Sequence, residues 1–137
     1  MTEPDFLELE EVLELHERQI EAFGGTLGIR DQGLLESALA TPRATFGGQF
    51  VHETLFSMAA ASAYHVAENQ PFLDGNKRTG LGAALVFLRV NGYRVVDPEE
   101  TLYEAMIAIA EHRMDKEGLA EVLRKLAHEV EPDGSAE

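Results

Sequence analysis

The residues with chemical potential in this chain are concentrated in one short stretch, Asn69-Gln70-Pro71-Phe72-Leu73-Asp74-Gly75-Asn76-Lys77-Arg78-Thr79-Gly80. It lies between two apolar segments with helical patterning. A loop that flows straight into a helix presents N–H groups with no intrahelical acceptor, and the helix dipole favours an anion at that end. Gly75 lets the backbone approach a ligand closely, Lys77 and Arg78 add formal positive charge, and Asn76 can donate from its amide. Together these features describe a phosphate cradle. Asp74 has the wrong charge to touch phosphate but the right chemistry to hold Mg²⁺ beside it. Phe72 is expected to pin the loop into the core. The same string also reads as a capping turn with a solvated Lys-Arg pair, and local physics alone leaves the two readings level.

The surroundings sharpen the contrast. The formal net charge is -14, which disfavours general binding to nucleic acid or to anionic membranes, so a basic pair at a helix start stands out. The absence of Cys removes disulfides and thiolate metal sites. The acidic opening Met1-Thr2-Glu3-Pro4-Asp5 has no signal-peptide pattern, and the apolar run Leu81–Leu88 is too short to span a bilayer. A cytoplasmic protein is the expectation.

The elements that must position the stretch read as helices. Phe6, Leu9, Leu13, Ile20 and Phe23 recur near helical spacing until Gly24-Gly25 stops the pattern. Asp31 caps a short helix that ends at Thr41-Pro42. Arg43 to Phe50, with Gly47-Gly48, reads as a mobile loop. A third helix is expected from about His52 to Asn69. A fourth, from Gly75 or Asn76 to Val90, is apolar on nearly every side and is expected to be the central buried helix. Tyr93 to Val96 is a short extended piece. Asp97-Pro98-Glu99-Glu100 then starts a fifth helix reaching about His112, and Asp115 caps a sixth reaching about Val130. The fold class is all-α: a compact bundle of about six helices around one central helix. Residues 1–130 form a single domain, and 131–137 are expected to be a disordered tail.

The stretch from Pro71 to Arg78 resembles the Fic/Doc signature, His-x-Phe-x-Asp/Glu-Gly/Ala-Asn-x-Arg. The likeness extends to Phe23-Gly24-Gly25, to Gly28-Ile29-Arg30-Asp31 with Gly33 to Ala40, and to Leu85-Val86-Phe87-Leu88 with Asn91-Gly92-Tyr93. It covers roughly residues 5 to 128. Family members that transfer AMP usually carry Gly after the motif Asn and a second Arg three residues past the first. Lys77 and Leu81 stand there instead and are similar to the death-on-curing (Doc) branch.

That resemblance implies a kinase-like toxin using ATP or another nucleoside triphosphate with Mg²⁺. The γ-phosphate would pass to a Thr of elongation factor Tu, and a separate antitoxin chain would restrain the enzyme. Gly75, Asn76, Lys77 and Arg78 would hold phosphates and Asp74 the metal. The stretch Arg43 to Phe50 falls where relatives carry a flap that aligns the target, although an ordinary Gly-rich loop explains it equally well. The self-inhibitory pattern Ser/Thr-x-x-x-Glu-Gly/Asn is not met: Tyr64 precedes Glu68-Asn69, and Arg113 precedes Glu117-Gly118.

One departure matters most. The family's general-base His is replaced by Gln70. A carboxamide does not titrate near neutrality, and losing a positioned base costs about 10²- to 10⁴-fold in rate. His65, five residues back and so about 140° around the helix axis, reads as a partly buried or capping histidine rather than a substitute base. His16, His52, His112 and His128 have no motif context. Three readings stand: a variant enzyme of weak or altered activity, a pseudoenzyme that still binds nucleotide or partner, and an introduced inactivating substitution. AMP transfer is the further alternative.

Overall fold

The computed structural model describes residues 3–131 of the chain. Its order is α1 (Leu9–Phe23), α2 (Gln32–Ala40), a 3₁₀ turn (Thr41–Arg43), β1 (Thr45–Phe46), β2 (Gln49–Phe50), α3 (Leu55–Asn69), α4 (Asn76–Val90), β3 (Tyr93–Val95), α5 (Thr101–Ala110), α6 (Lys116–Leu126) and β4 (Ala127–Glu129). The all-α class holds, with two small two-stranded sheets added. No helix among the described residues is long and apolar enough to cross a membrane.

The helix at the centre is α3 rather than α4. Eight of its residues are buried, five of them alanines (Ala59, Ala60, Ala61, Ala63, Ala67), and such small side chains let neighbouring helices approach from several sides. On α4, Gly80 makes the closest approach: a Cβ there would sit 2.9 Å from the carbonyl oxygen of Ala63. The apolar residues of α4 are only partly sequestered, with Leu81 and Leu85 half-buried and Val86 exposed.

Local signals fix most boundaries. Asp31 accepts from the N–H of Leu34 at 3.1 Å, and Asp115 from that of Gly118 at 2.8 Å. Thr54 caps α3 by accepting from Ser57 N–H at 3.0 Å, so the helix begins later than His52. Asp97 also caps, from further back than expected. Its carboxylate accepts from Thr101 and Leu102 N–H at 2.9 and 2.8 Å, while Pro98 to Glu100 form a turn.

Two further expectations are corrected. Arg43 to Phe50 contains a β-hairpin, Thr45 opposite Phe50 and Phe46 opposite Gln49, turning at Gly47-Gly48 with φ of 61° and 82°. The sixth helix stops at Leu126, because Ala127 to Glu129 pair antiparallel with Tyr93 to Val95. The expected tail, residues 131–137, lies outside the described residues from 132 onward.

Candidate functional site

The motif loop is tied down on three sides. Phe72 is buried against Val12, Leu35, Ala38 and Val66, which fixes the loop's inner edge as expected. The backbone pairs with the connector after α1: Leu73 N–H donates to Gly28 O at 3.0 Å, and Arg30 and Asp31 N–H both donate to Pro71 O at 2.6 and 2.9 Å. From the third side comes His16 of α1, buried, its ring stacked on Phe72 at 3.8 Å between centroids and 7° between planes. Its Nε2 lies 2.9 Å from the carbonyl oxygen of Asp74.

Within the loop, Asn76 closes on Phe72. Its Oδ1 accepts from Phe72 N–H at 2.9 Å, and its Nδ2 donates to Phe72 O at 3.1 Å. One amide hydrogen remains for a ligand. Gly75 takes a left-handed conformation, φ 74°, that turns the chain into α4. The first N–H to bond back is that of Thr79, to Gly75 O at 2.9 Å, so the N–H groups of Asn76, Lys77 and Arg78 are the donors that the helix itself leaves unused. Arg78 lies with its guanidinium carbon 4.3 Å from the centre of the Phe23 ring. This cation–π contact steadies a side chain otherwise in solvent.

Asp74, Gly75, Asn76, Lys77 and Arg78 line one cleft of about 380 Å³, whose other wall is Leu81 with Tyr103, Met106 and Ile107 of α5. A polar, cationic end thus faces an apolar wall. The Asp74 carboxylate accepts from Gly75 N–H at 2.9 Å and Thr26 N–H at 3.1 Å, which leaves a lone pair on each oxygen for a cation. Such a group fits Mg²⁺, which takes one or two carboxylates and completes its shell with phosphate oxygens and water.

Gln70 is the predicted site residue that does not line this cleft. It ends α3 in a left-handed conformation, φ 50° and ψ 57°, with its N–H on Val66 O at 3.1 Å, and it is exposed. His65 is engaged elsewhere, its Nε2 3.0 Å from Lys116 Nζ.

A sequence profile of the Fic/DOC family matches residues 6–88. The chain belongs to the Fic/Doc family. Within that family its relatives point to the death-on-curing branch. It is 46% identical over 74 residues to a protein of Mycolicibacterium smegmatis named Toxin Doc, covering 54% of this chain and 57% of that one. It is 33% identical over 117 residues to a protein of Escherichia phage P1 named Protein kinase doc, covering 85% and 91%. The alignment therefore spans little more than half of the mycobacterial relative and nearly all of the phage protein.

Set in the Fic/Doc framework, the site contains residues the motif does not announce. His16 occupies the gap in the apolar series 9, 13, 20, 23 of α1, and that gap was its signal: a polar residue at the missing inward position. Phe23, counted as part of that apolar face, is largely exposed and serves Arg78 instead. Tyr103, Met106 and Ile107 carried no sequence signal, since only tertiary packing brings α5 beside the motif.

Proposed function

We propose that this chain is a Doc-type phosphotransferase and the toxin of a toxin–antitoxin pair. The observation that carries the reading is the single cleft in which Lys77, Arg78 and the open N–H groups of α4 face an apolar wall across about 380 Å³. A nucleoside triphosphate has that polarity, with anionic phosphates at one end and a flat apolar base at the other. Lys77 and Arg78 offset the phosphate charge, and the backbone N–H groups of Asn76 to Arg78 hold phosphate oxygens. Asp74 would hold Mg²⁺, which when bound would further neutralise charge on the transferred group.

In the transfer a hydroxyl oxygen of the target bonds to the γ-phosphorus, and the bond to the β–γ bridging oxygen breaks. The nucleoside diphosphate leaves and the hydroxyl proton must be taken up. Gln70 can orient the hydroxyl or a water, but it cannot accept that proton, so the proton passes to solvent and the step is slow. Lys77 and Leu81 favour transfer of the γ-phosphate over AMP. The target we assign is a Thr of elongation factor Tu in the cytoplasm, presented along the hairpin of β1 and β2, with a separate antitoxin chain as the restraint.

Gln70 itself favours a second reading, a catalytically silent member that binds nucleotide or partner. The deciding experiment mixes the chain, or its Gln70→His variant, with elongation factor Tu, Mg²⁺ and ATP labelled at the γ- or α-phosphate. γ-Label on the target with Gln70→His, at least about 100-fold faster than with the unmodified chain, is the expected result. α-Label would assign AMP transfer instead. No label with either protein, alongside measurable nucleotide binding, would favour a different target or donor, or the binding-only reading.

A further inference from the structure

His16 lies 58 residues from its partner Asp74 and outside the signature altogether. Its ring is 2% exposed, a burial that a histidine accepts only with its polar atoms satisfied. A carbonyl oxygen can only accept, so Nε2 carries the hydrogen and donates to Asp74 O at 2.9 Å. The ring face is fixed by its stack on Phe72, 3.8 Å away and 7° from parallel. Nε2 would also stand 3.7 Å from a Cβ at Gly75. The imidazole therefore abuts the three residues, Phe72, Asp74 and Gly75, whose conformations decide how the chain enters α4.

The consequence falls on Arg78. In a helix extended by one residue, the Asp74 carbonyl would take the N–H of Arg78, four residues on. Here that carbonyl is turned onto His16 and Gly75 is left-handed, so the first return bond is Thr79 N–H to Gly75 O. The Arg78 N–H stays open beside those of Asn76 and Lys77.

We infer that His16 is a positioning residue: by holding the Asp74 carbonyl, it keeps the first turn of α4 open as a phosphate site. It touches no substrate. The phosphate half of this inference rests on the function proposed above, whereas the positioning half concerns the loop alone.

Two variants separate this role from plain packing. His16→Phe keeps an aromatic ring against Phe72 and deletes the donor. His16→Gln keeps a donor and gives up the stack. With isotope-labelled protein, the amide resonances of Gly75 to Arg78 are expected to move in His16→Phe, and hydrogen exchange at Arg78 to slow as its N–H finds Asp74 O. In His16→Gln both should stay near those of the unmodified chain. In titrations with Mg·ATP, His16→Phe is expected to bind about tenfold more weakly, the worth of one hydrogen-bond donor, although its thermal midpoint is unchanged or higher. His16→Gln should bind within about threefold of the unmodified chain. Unmoved amide resonances in folded His16→Phe would overturn the positioning role. If the unmodified chain fails to bind Mg·ATP, the phosphate reading falls, while the amide spectra still decide whether His16 holds the loop.

Discussion

Arg30 clamps the residue at the base position by its main chain: its Nε–H donates to the carbonyl oxygen of Gln70 at 2.7 Å. A second arm of the same guanidinium donates to Asn69 O at 2.8 Å. The last carbonyls of α3 thereby gain both hydrogen bonds and a cation at the negative end of the helix dipole. Gln70 can hold its left-handed conformation because the chain on either side is fastened. Arg30→Ala is expected to lower stability by about 1–2 kcal/mol, since the bonds are charge-assisted but exposed to solvent. Arg30→Lys should recover less than half, because one ammonium cannot reproduce the fork. Urea unfolding of the three proteins measures both.

Arg78 and its aromatic support separate two contributions to ligand binding. Arg78→Ala removes the charge, and the affinity for Mg·ATP should fall by about ten- to a hundredfold. Phe23→Leu leaves the charge but removes the ring 4.3 Å beneath it. The expected loss is only about two- to fivefold, the worth of an exposed cation–π contact. Equal losses in a titration series would mean that Phe23 has a larger part than steadying Arg78.

Gly80 tests the packing of α4 on α3. A Cβ there would meet the Ala63 carbonyl oxygen at 2.9 Å and Val66 Cβ at 3.2 Å, and a backbone carbonyl cannot swing away as a long side chain can. Gly80→Ala is therefore expected to destabilise by about 1–3 kcal/mol, despite the better helix propensity of alanine. A denaturation midpoint at or above that of the unmodified chain would show that the two helices can separate at little cost.

Acid should loosen the seam between α3 and α6. His65 Nε2 lies 3.0 Å and His52 Nε2 3.3 Å from Lys116 Nζ. Burial, and then the Lys116 ammonium, holds both imidazoles below the ordinary value of 6.5. Below pH 6.5 the unfolded chain takes up protons at these positions that the folded chain refuses. Stability from this pair is thus complete above 6.5 and is lost as pH falls toward the depressed folded values. Thermal midpoints from about pH 8 down to about pH 5 should fall, and less steeply in Lys116→Met, where one cause of the depression is gone. Identical profiles would remove Lys116 from the account.

What the sequence determined by itself is what short-range chemistry controls. Asp31, Asp97 and Asp115 cap helices from their own loops, Gly24 and Pro42 mark helix ends, and the string Asp74-Gly75-Asn76-Lys77-Arg78 gathers the acid, the glycine, the amide and the two cations of the proposed site in five consecutive residues. Only the tertiary structure decided the rest. α3 became the centre because its alanines admit neighbours on several sides, whereas on α4 Leu81 lines the cleft and Val86 is exposed. The last turn expected of α6 became a strand because Tyr93 to Val95 offered it a partner more than thirty residues away. The side chains that hold the loop, Arg30 at a separation of 40 residues from Gln70 and His16 at 58 from Asp74, belong to no local pattern. A single buried donor meeting a single carbonyl leaves no periodicity in the chain: it exists only once the core around Phe72 has closed.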